Sequence, residues 1–335
     1  MKNICILGAG SWGTALSILL CKNGHNVTVW SIDPEEILML KEYREHRDKL
    51  PGVMIPSTVE FTTDLDSALK GKELVVCAVP SPFVRSTMKN ASPYIEEGTI
   101  VVDVAKGIEE HTYKTMTEII KEECPQCRAA ILSGPSHAEE VSRGIPTTIV
   151  SGSKSKEVAE IVQDTFMNDF FRVYTSPDVI GIELGGSVKN VIALAAGVVD
   201  GLGYGDNTKA ALITRGVSEL IRLVIAMGGH IETVAGLSGI GDLIVTCTSK
   251  HSRNRNAGFL IGQGKTYQEA MDEVKMVVEG VYSAKSTYEL SKKYNVSMPI
   301  VEAVNDVLFH DVPAKEAVFS LLTRDKARES EQLKW

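Results

Sequence analysis

Through the first half of the chain, short runs that are apolar on both faces alternate with longer stretches whose apolar positions recur every three or four residues. The short runs predict strands at 3–7, 26–30, 73–79, 98–104, 128–133, 146–151 and 170–174. The longer ones predict helices at 11–22, 34–45, 81–91, 112–122 and 154–166. Leu74-Val75-Val76-Cys77-Ala78-Val79 and Ile100-Val101-Val102-Asp103-Val104 read as apolar on both faces, as befits strands covered by helices. This order predicts βαβ units and a mostly parallel sheet. From about residue 178 the pattern becomes rich in Ala, Leu and Gly at helical spacing, over 178–201, 207–227, 231–236, 257–263, 266–272, 280–294, 300–308 and 313–321. With no two-residue period there, the second part is expected to be all-α. The expected division is 1–180 and 181–335, joined through one long helix rather than a flexible linker.

The first strand and helix enclose Gly8-Ala9-Gly10-Ser11-Trp12-Gly13. A GxGxxG loop between strand and helix is the setting of a dinucleotide fingerprint, and it makes the first domain Rossmann-like. Gly8 permits the tight turn, Gly10 lets backbone approach a pyrophosphate, and Gly13 lets helix and strand pack closely. The helix start then offers its N–H groups to the phosphates. NAD or NADP is the expected cofactor, with no metal. The second strand ends Val29-Trp30-Ser31 without the usual ribose-binding carboxylate. Asp33 precedes Pro34-Glu35-Glu36, a sequence that favours a helix cap over a ribose contact.

A net charge of −8 argues against a nucleic-acid surface and makes cations inside ordered motifs informative. No run reaches the uninterrupted apolar length of a membrane span, and no leader pattern stands at the start. Six cysteines in 335 residues form no disulfide framework, which suits a cytoplasmic protein. Cys124-Pro125-Gln126-Cys127 lacks a second ligand pair and reads as two ordinary thiols.

Several segments carry more polar and glycine residues than their surroundings require. Lys106 follows a buried strand at the sheet edge where ligands of open α/β sheets bind. Gly134 and Ser136 stand at another strand end, beside His137, whose position suits a surface or capping residue better than a catalytic one. In Glu183-Leu184-Gly185-Gly186-Ser187-Val188-Lys189, two helical glycines cost roughly 1 kcal/mol each, so they call for a close approach by cofactor or sheet. Lys189 has apolar neighbours, and desolvation suits it to proton transfer near neutral pH. The other reading is a structural lysine paired with Glu183. Further on, Asp242 leads into Ser252-Arg253-Asn254, a set suited to phosphate capture, and Glu279 is a buried-looking carboxylate beside glycine.

Together these segments resemble the NAD(P)-dependent glycerol-3-phosphate dehydrogenases of the soluble bacterial type. The resemblance rests on GAGSWGTALS at 8–17, VAKGIE at 104–109, LSGPSHAEEV at 132–141, ELGGSVKNVIALAAGVVDGL at 183–202 and GLSGIGDLIVTCTSKHSRNRNAG at 236–258, in that order along nearly the whole chain. It implies interconversion of dihydroxyacetone phosphate and glycerol 3-phosphate for phospholipid synthesis, with Lys189 as proton donor and acceptor. It further implies substrate contacts from Lys106, Gly134, Ser136, Lys189, Asp242, Ser252, Arg253 and Asn254. Cofactor contacts are implied for Ser11, Trp12, Lys106, Ala138, Arg253, Val277 and Glu279, and a homodimer is implied as well. Ile32 stands where bacterial relatives often carry Arg or His, which leaves NADH versus NADPH open. A β-hydroxyacid or 6-phosphogluconate dehydrogenase would share the two-part layout, but the 236–258 stretch speaks against it. A non-catalytic sensor of the nicotinamide pool would leave Lys106, Lys189 and Arg253 without a task.

Overall fold

A computed structural model of the chain describes residues 1–326, 328 and 329; positions 327 and 330–335 of the expected second domain lie outside the described residues. The strands are β1 (Asn3–Leu7), β2 (Asn26–Trp30), β3 (Glu45–His46), β4 (Leu50–Met54), β5 (Glu60–Thr62), β6 (Leu74–Cys77), β7 (Ile100–Asp103), β8 (Arg128–Ser133), β9 (Thr147–Gly152) and β10 (Phe171–Ser176). Eight of them form one sheet in the order β10-β9-β8-β7-β6-β1-β2-β5, while β3 and β4 make a separate hairpin. All pairs in the large sheet are parallel except β8 with β9. The link between those two holds only a single helical turn, too little for a crossover, so β9 returns antiparallel. The chain first builds outward from β1 through β2 to β5, then returns to add β6 on the other side of β1. This reversal opens a crevice at the carboxyl ends of β1 and β6.

Helices α1 (Ser11–Lys22), α2 (Pro34–Tyr43), α3 (Leu65–Leu69), α4 (Val84–Ala91), α5 (Met116–Glu123), α6 (Ala138–Val141) and α7 (Lys156–Phe166) connect the strands. Alternate residues of each strand feed opposite cores, as the pleat requires. Ile4, Ile6, Val76 and Val102 pack with α1 and α7 on one face. Cys5, Leu7, Val75 and Val101 pack with α4 and α5 on the other.

The remaining chain forms α8 (Val179–Gly201), α9 (Asp206–Ala226), α10 (Ile231–Val234), α11 (Asp242–Thr248), α12 (Arg253–Gly262), α13 (Tyr267–Val274), α14 (Glu279–Lys293), α15 (Pro299–Phe309) and α16 (Ala314–Leu322). A π-helical turn, Leu237–Gly241, precedes α11. Helix α8 is long and apolar enough to cross a membrane by composition alone, yet 94% of its most apolar window is buried inside the protein. It is the central post of the helical core, with α9, α11, α12, α14 and α15 packed around it. A side chain at Gly197 or Gly258 would meet the facing helix backbone at 2.0 Å, so α8 and α12 touch through their main chains.

Several elements differ from expectation for local reasons. The edge strand β5 spans only Glu60–Thr62, too short to show a period, and in the hairpin β3 has two residues while Pro51-Gly52 interrupts β4. Helix α5 starts at Met116 rather than 112, where the Glu118 carboxylate in its first turn reaches back to accept from the Thr115 N–H at 2.9 Å. Helix α12 begins at Arg253, not 257, capped by Ser252, and Asp242 opens a helix not foreseen there. Asp33 caps α2 by accepting from the Glu35 and Glu36 N–H groups, the favoured of its two readings.

Candidate active site

At the end of β1 the chain turns through Gly8 with φ +111°, and a Cβ there would meet the Ala78 backbone at 2.9 Å. A Cβ at Gly13 would lie 2.0 Å from the Gly8 carbonyl, so helix and strand meet only because neither position has a side chain. Gly10 caps α1 with no side-chain acceptor and has open space where its Cβ would project. No acidic residue stands in the first turn, where Ser11 and Trp12 sit. Open main-chain donors at an uncapped helix start form a cradle that fits a dinucleotide pyrophosphate. Ala138 is buried at the start of α6, which packs beside α1.

Helix α8 reaches this crevice by two close approaches. A Cβ at Gly185 would strike the Ser238 carbonyl of the π-helical turn at 2.5 Å, and one at Gly186 would meet Ser133 Oγ at 3.2 Å and Lys106 Cγ at 3.4 Å. The two helical glycines thus serve helix–turn and helix–sheet packing. One turn later Lys189 arrives facing Asp242, the first residue after the π-helical turn. π-helical turns recur at functional sites.

The Asp242 carboxylate joins two cations. Its Oδ1 accepts from Lys189 Nζ at 2.5 Å, and its Oδ2 accepts from Lys106 Nζ at 2.7 Å. Lys106 Nζ also donates to the Gly134 carbonyl at 3.0 Å, which Ser136 Oγ shares at 2.9 Å. Lys189 Nζ donates further to Thr246 Oγ1 at 2.7 Å. Glu183 is not the partner of Lys189. It accepts from the Thr117 N–H and hydroxyl at 2.8 and 2.9 Å and ties α8 to α5 instead.

Burial sets the charges. Desolvation pulls the Lys189 ammonium down to about 8, with Asp242 opposing and Lys106 adding to the fall. Burial pushes Asp242 upward, but the two ammoniums more than reverse this and hold it below the ordinary range. Burial also raises Glu279, against the hydrogen bonds it receives from Ser81.

The other expected residues stand at the starts of α12 and α14. Ser252 spends its hydroxyl on the Arg255 N–H at 3.2 Å. Arg253 Nη1 donates to the Val277 carbonyl at 3.1 Å. Asn254 donates to Asn190 Oδ1 at 2.9 Å and accepts from the Gly280 N–H at 2.8 Å. Glu279 accepts from the Ser81 N–H at 3.0 Å and from its hydroxyl at 2.5 Å, reaching across to the sheet half. Thr246, Asn190 and Ser81 were not singled out from sequence. Thr246 carried a signal, standing four residues after Asp242 on the same helix face.

The N-terminal model of NAD-dependent glycerol-3-phosphate dehydrogenase matches residues 3–159, and the C-terminal model matches residues 178–319. A glycerol-3-phosphate dehydrogenase (NAD(P)+) of Agathobacter rectalis is 60% identical over 335 residues, covering 100% of both chains. This chain belongs to the NAD-dependent glycerol-3-phosphate dehydrogenase family. A Fusobacterium nucleatum member is 56% identical over 98% of this chain and 99% of its own. The crystal structure of glycerol-3-phosphate dehydrogenase from Coxiella burnetii superposes with a TM-score of 0.93 at 36% identity, covering 96% of this chain and 99% of that one. Both halves of the family are therefore present in one chain, an α/β dinucleotide-binding part followed by a helical part.

Proposed function

We propose that the protein reduces dihydroxyacetone phosphate reversibly to sn-glycerol 3-phosphate, using NADH or NADPH, with residues 1–180 holding the cofactor and 181–335 supplying most of the substrate site. The carrying observation is the buried Lys189 ammonium, paired with a carboxylate that also holds Lys106 at the sheet edge. Bound NAD(P)H supplies the hydride. Lys189, held ionised yet weakened by burial to about 8, gives its proton to the oxygen of the substrate carbonyl as negative charge develops there. Asp242 keeps that ammonium pointed at one place, and Lys106 adds a second positive charge against the same oxygen or its neighbouring hydroxyl.

Gly134 and Ser136 line the Lys106 side. Arg253 and Asn254 receive the phosphate, the former through its guanidinium. Because Ser252 spends its hydroxyl on Arg255, the first turn of α12 leaves the Arg253 and Asn254 N–H groups without intrahelical acceptors. Fixing both ends of the triose holds its carbonyl at reacting distance. Gly8, Gly10, Ser11, Trp12, Gly13 and Ala138 hold the dinucleotide, with Lys106, Arg253, Val277 and Glu279 reaching it from the crevice. The product supplies the backbone of glycerophospholipids. A cytoplasmic homodimer completes the reading, supported by the family resemblance and open to light scattering on purified protein. The deciding experiment is initial-rate oxidation of NADH and NADPH with dihydroxyacetone phosphate. Turnover with either supports the reading, and none with both overturns it.

A further inference from the structure

His137 stands in the loop between β8 and α6, three residues after the Gly134 carbonyl that holds Lys106. It occupies the position before α6 but makes no capping bond. Its Nε2 is buried and has no hydrogen-bond partner among the described residues. The polar groups around it are otherwise engaged: Lys106, Lys189, Asp242 and Ser136 all have partners. A buried ring nitrogen left unpaired costs stability, so its persistence beside a functional crevice asks for a partner that arrives later.

The surroundings say where that partner lies. Charges from Lys189 on α8, Lys106 after β7, Asp242 on α11 and Glu139 on α6 all bear on the ring. Its other neighbour is His251, with ring centroids 6.0 Å apart, in the loop leading to Ser252. The imidazole therefore stands between the lysine–aspartate cluster and the start of α12, the two places that would hold the ends of the triose. Burial, with the two ammoniums adding to it, holds the ring below its ordinary value, so it is neutral at pH 7 and Nε2 can donate or accept.

We propose that His137 is a further substrate-binding residue, its Nε2 hydrogen-bonding an oxygen at the hydroxyketone end of the triose phosphate. This rests on the functional reading above.

The test is steady-state kinetics on the full chain with His137→Phe, His137→Gln and His137→Asn, varying dihydroxyacetone phosphate and NADH in turn. The Phe variant should raise KM for the triose about tenfold, the effect of about 1.4 kcal/mol, with KM for NADH unchanged. Gln, whose amide reaches the place of Nε2, should restore most of it, whereas Asn, which reaches only the place of Nδ1, should not. A Phe variant within twofold of the parent, equal Gln and Asn values, or a rise confined to NADH would overturn the proposal. If the Phe variant fails to fold, the Gln–Asn difference decides alone. A parent protein with no turnover would instead defeat the functional reading, so the two failures are distinguishable.

Discussion

On the sheet side of the crevice, the glycine loop presents main chain: the turn at Gly8, the open position at Gly10, and the uncapped start of α1. On the helical side the groups are side chains, with Lys189, Asp242, Asn254 and Glu279 brought from helices far apart in sequence and each tied to another side chain or a distant backbone group. Main-chain donors suit a ligand whose phosphates are always the same shape. Charged side chains in a dry setting suit a reacting centre, where a proton must move and small shifts in environment change how readily it does. The halves should therefore fail differently when altered.

The largest difference should come from Lys189→Ala. Turnover should fall by about 10²–10⁴-fold, the usual worth of a general acid, while NADH affinity measured by calorimetry changes little. Comparable losses in both would mean that the amine serves cofactor binding rather than proton transfer. On the sheet side, Gly13→Val should cost on the order of 3 kcal/mol in denaturant unfolding, since its side chain collides with the Gly8 carbonyl. Gly10→Ala is the informative contrast, because it meets nothing in the protein. It should keep the melting temperature and weaken NADH binding, and a variant that binds normally would remove Gly10 from the phosphate cradle.

Arg253→Ala should raise KM for dihydroxyacetone phosphate by about 10–100-fold, as expected for a lost charge-assisted hydrogen bond. The same variant tested with unphosphorylated dihydroxyacetone should show no such change. The pH profile follows from Lys189 near 8. Reduction needs the protonated amine, so its kcat should fall about tenfold per unit above that value; oxidation needs the neutral amine and should rise up to it. A flat reductive profile from pH 6 to 10 would contradict the assignment. The smallest effect belongs to Asp33→Ala, about 1 kcal/mol of stability from a lost helix cap. If NADH affinity fell as well, Asp33 would be contacting the ribose after all.

How much of this was legible in the chain depended on distance. The glycine loop could be read because strand, turn and helix are consecutive, so each residue's duty follows from its immediate neighbours. Lys189 drew notice through its apolar flanks, but its partner did not: Glu183 on the same helix was the open alternative, and Asp242 lies 53 residues away in sequence. The close approach at Gly185 and the packing of α11 on α8 bring the two together, and no periodicity encodes it. Short elements escaped for the opposite reason, since β5 has too few residues to display a pattern. Helix starts were misplaced where caps decide them, at Thr115 and Ser252. His137 was read as an ordinary capping or surface residue, because nothing local shows that its nitrogen would be buried without a partner.

The bond from Glu279 to Ser81 joins residues 198 positions apart. During synthesis the nascent sheet region emerges first, yet this edge of its crevice waits for a carboxylate that the ribosome has not yet added. At about 5–20 residues per second that delay is about 10–40 s. A growing chain would spend that interval with the turn after β6 unfastened from the helical half.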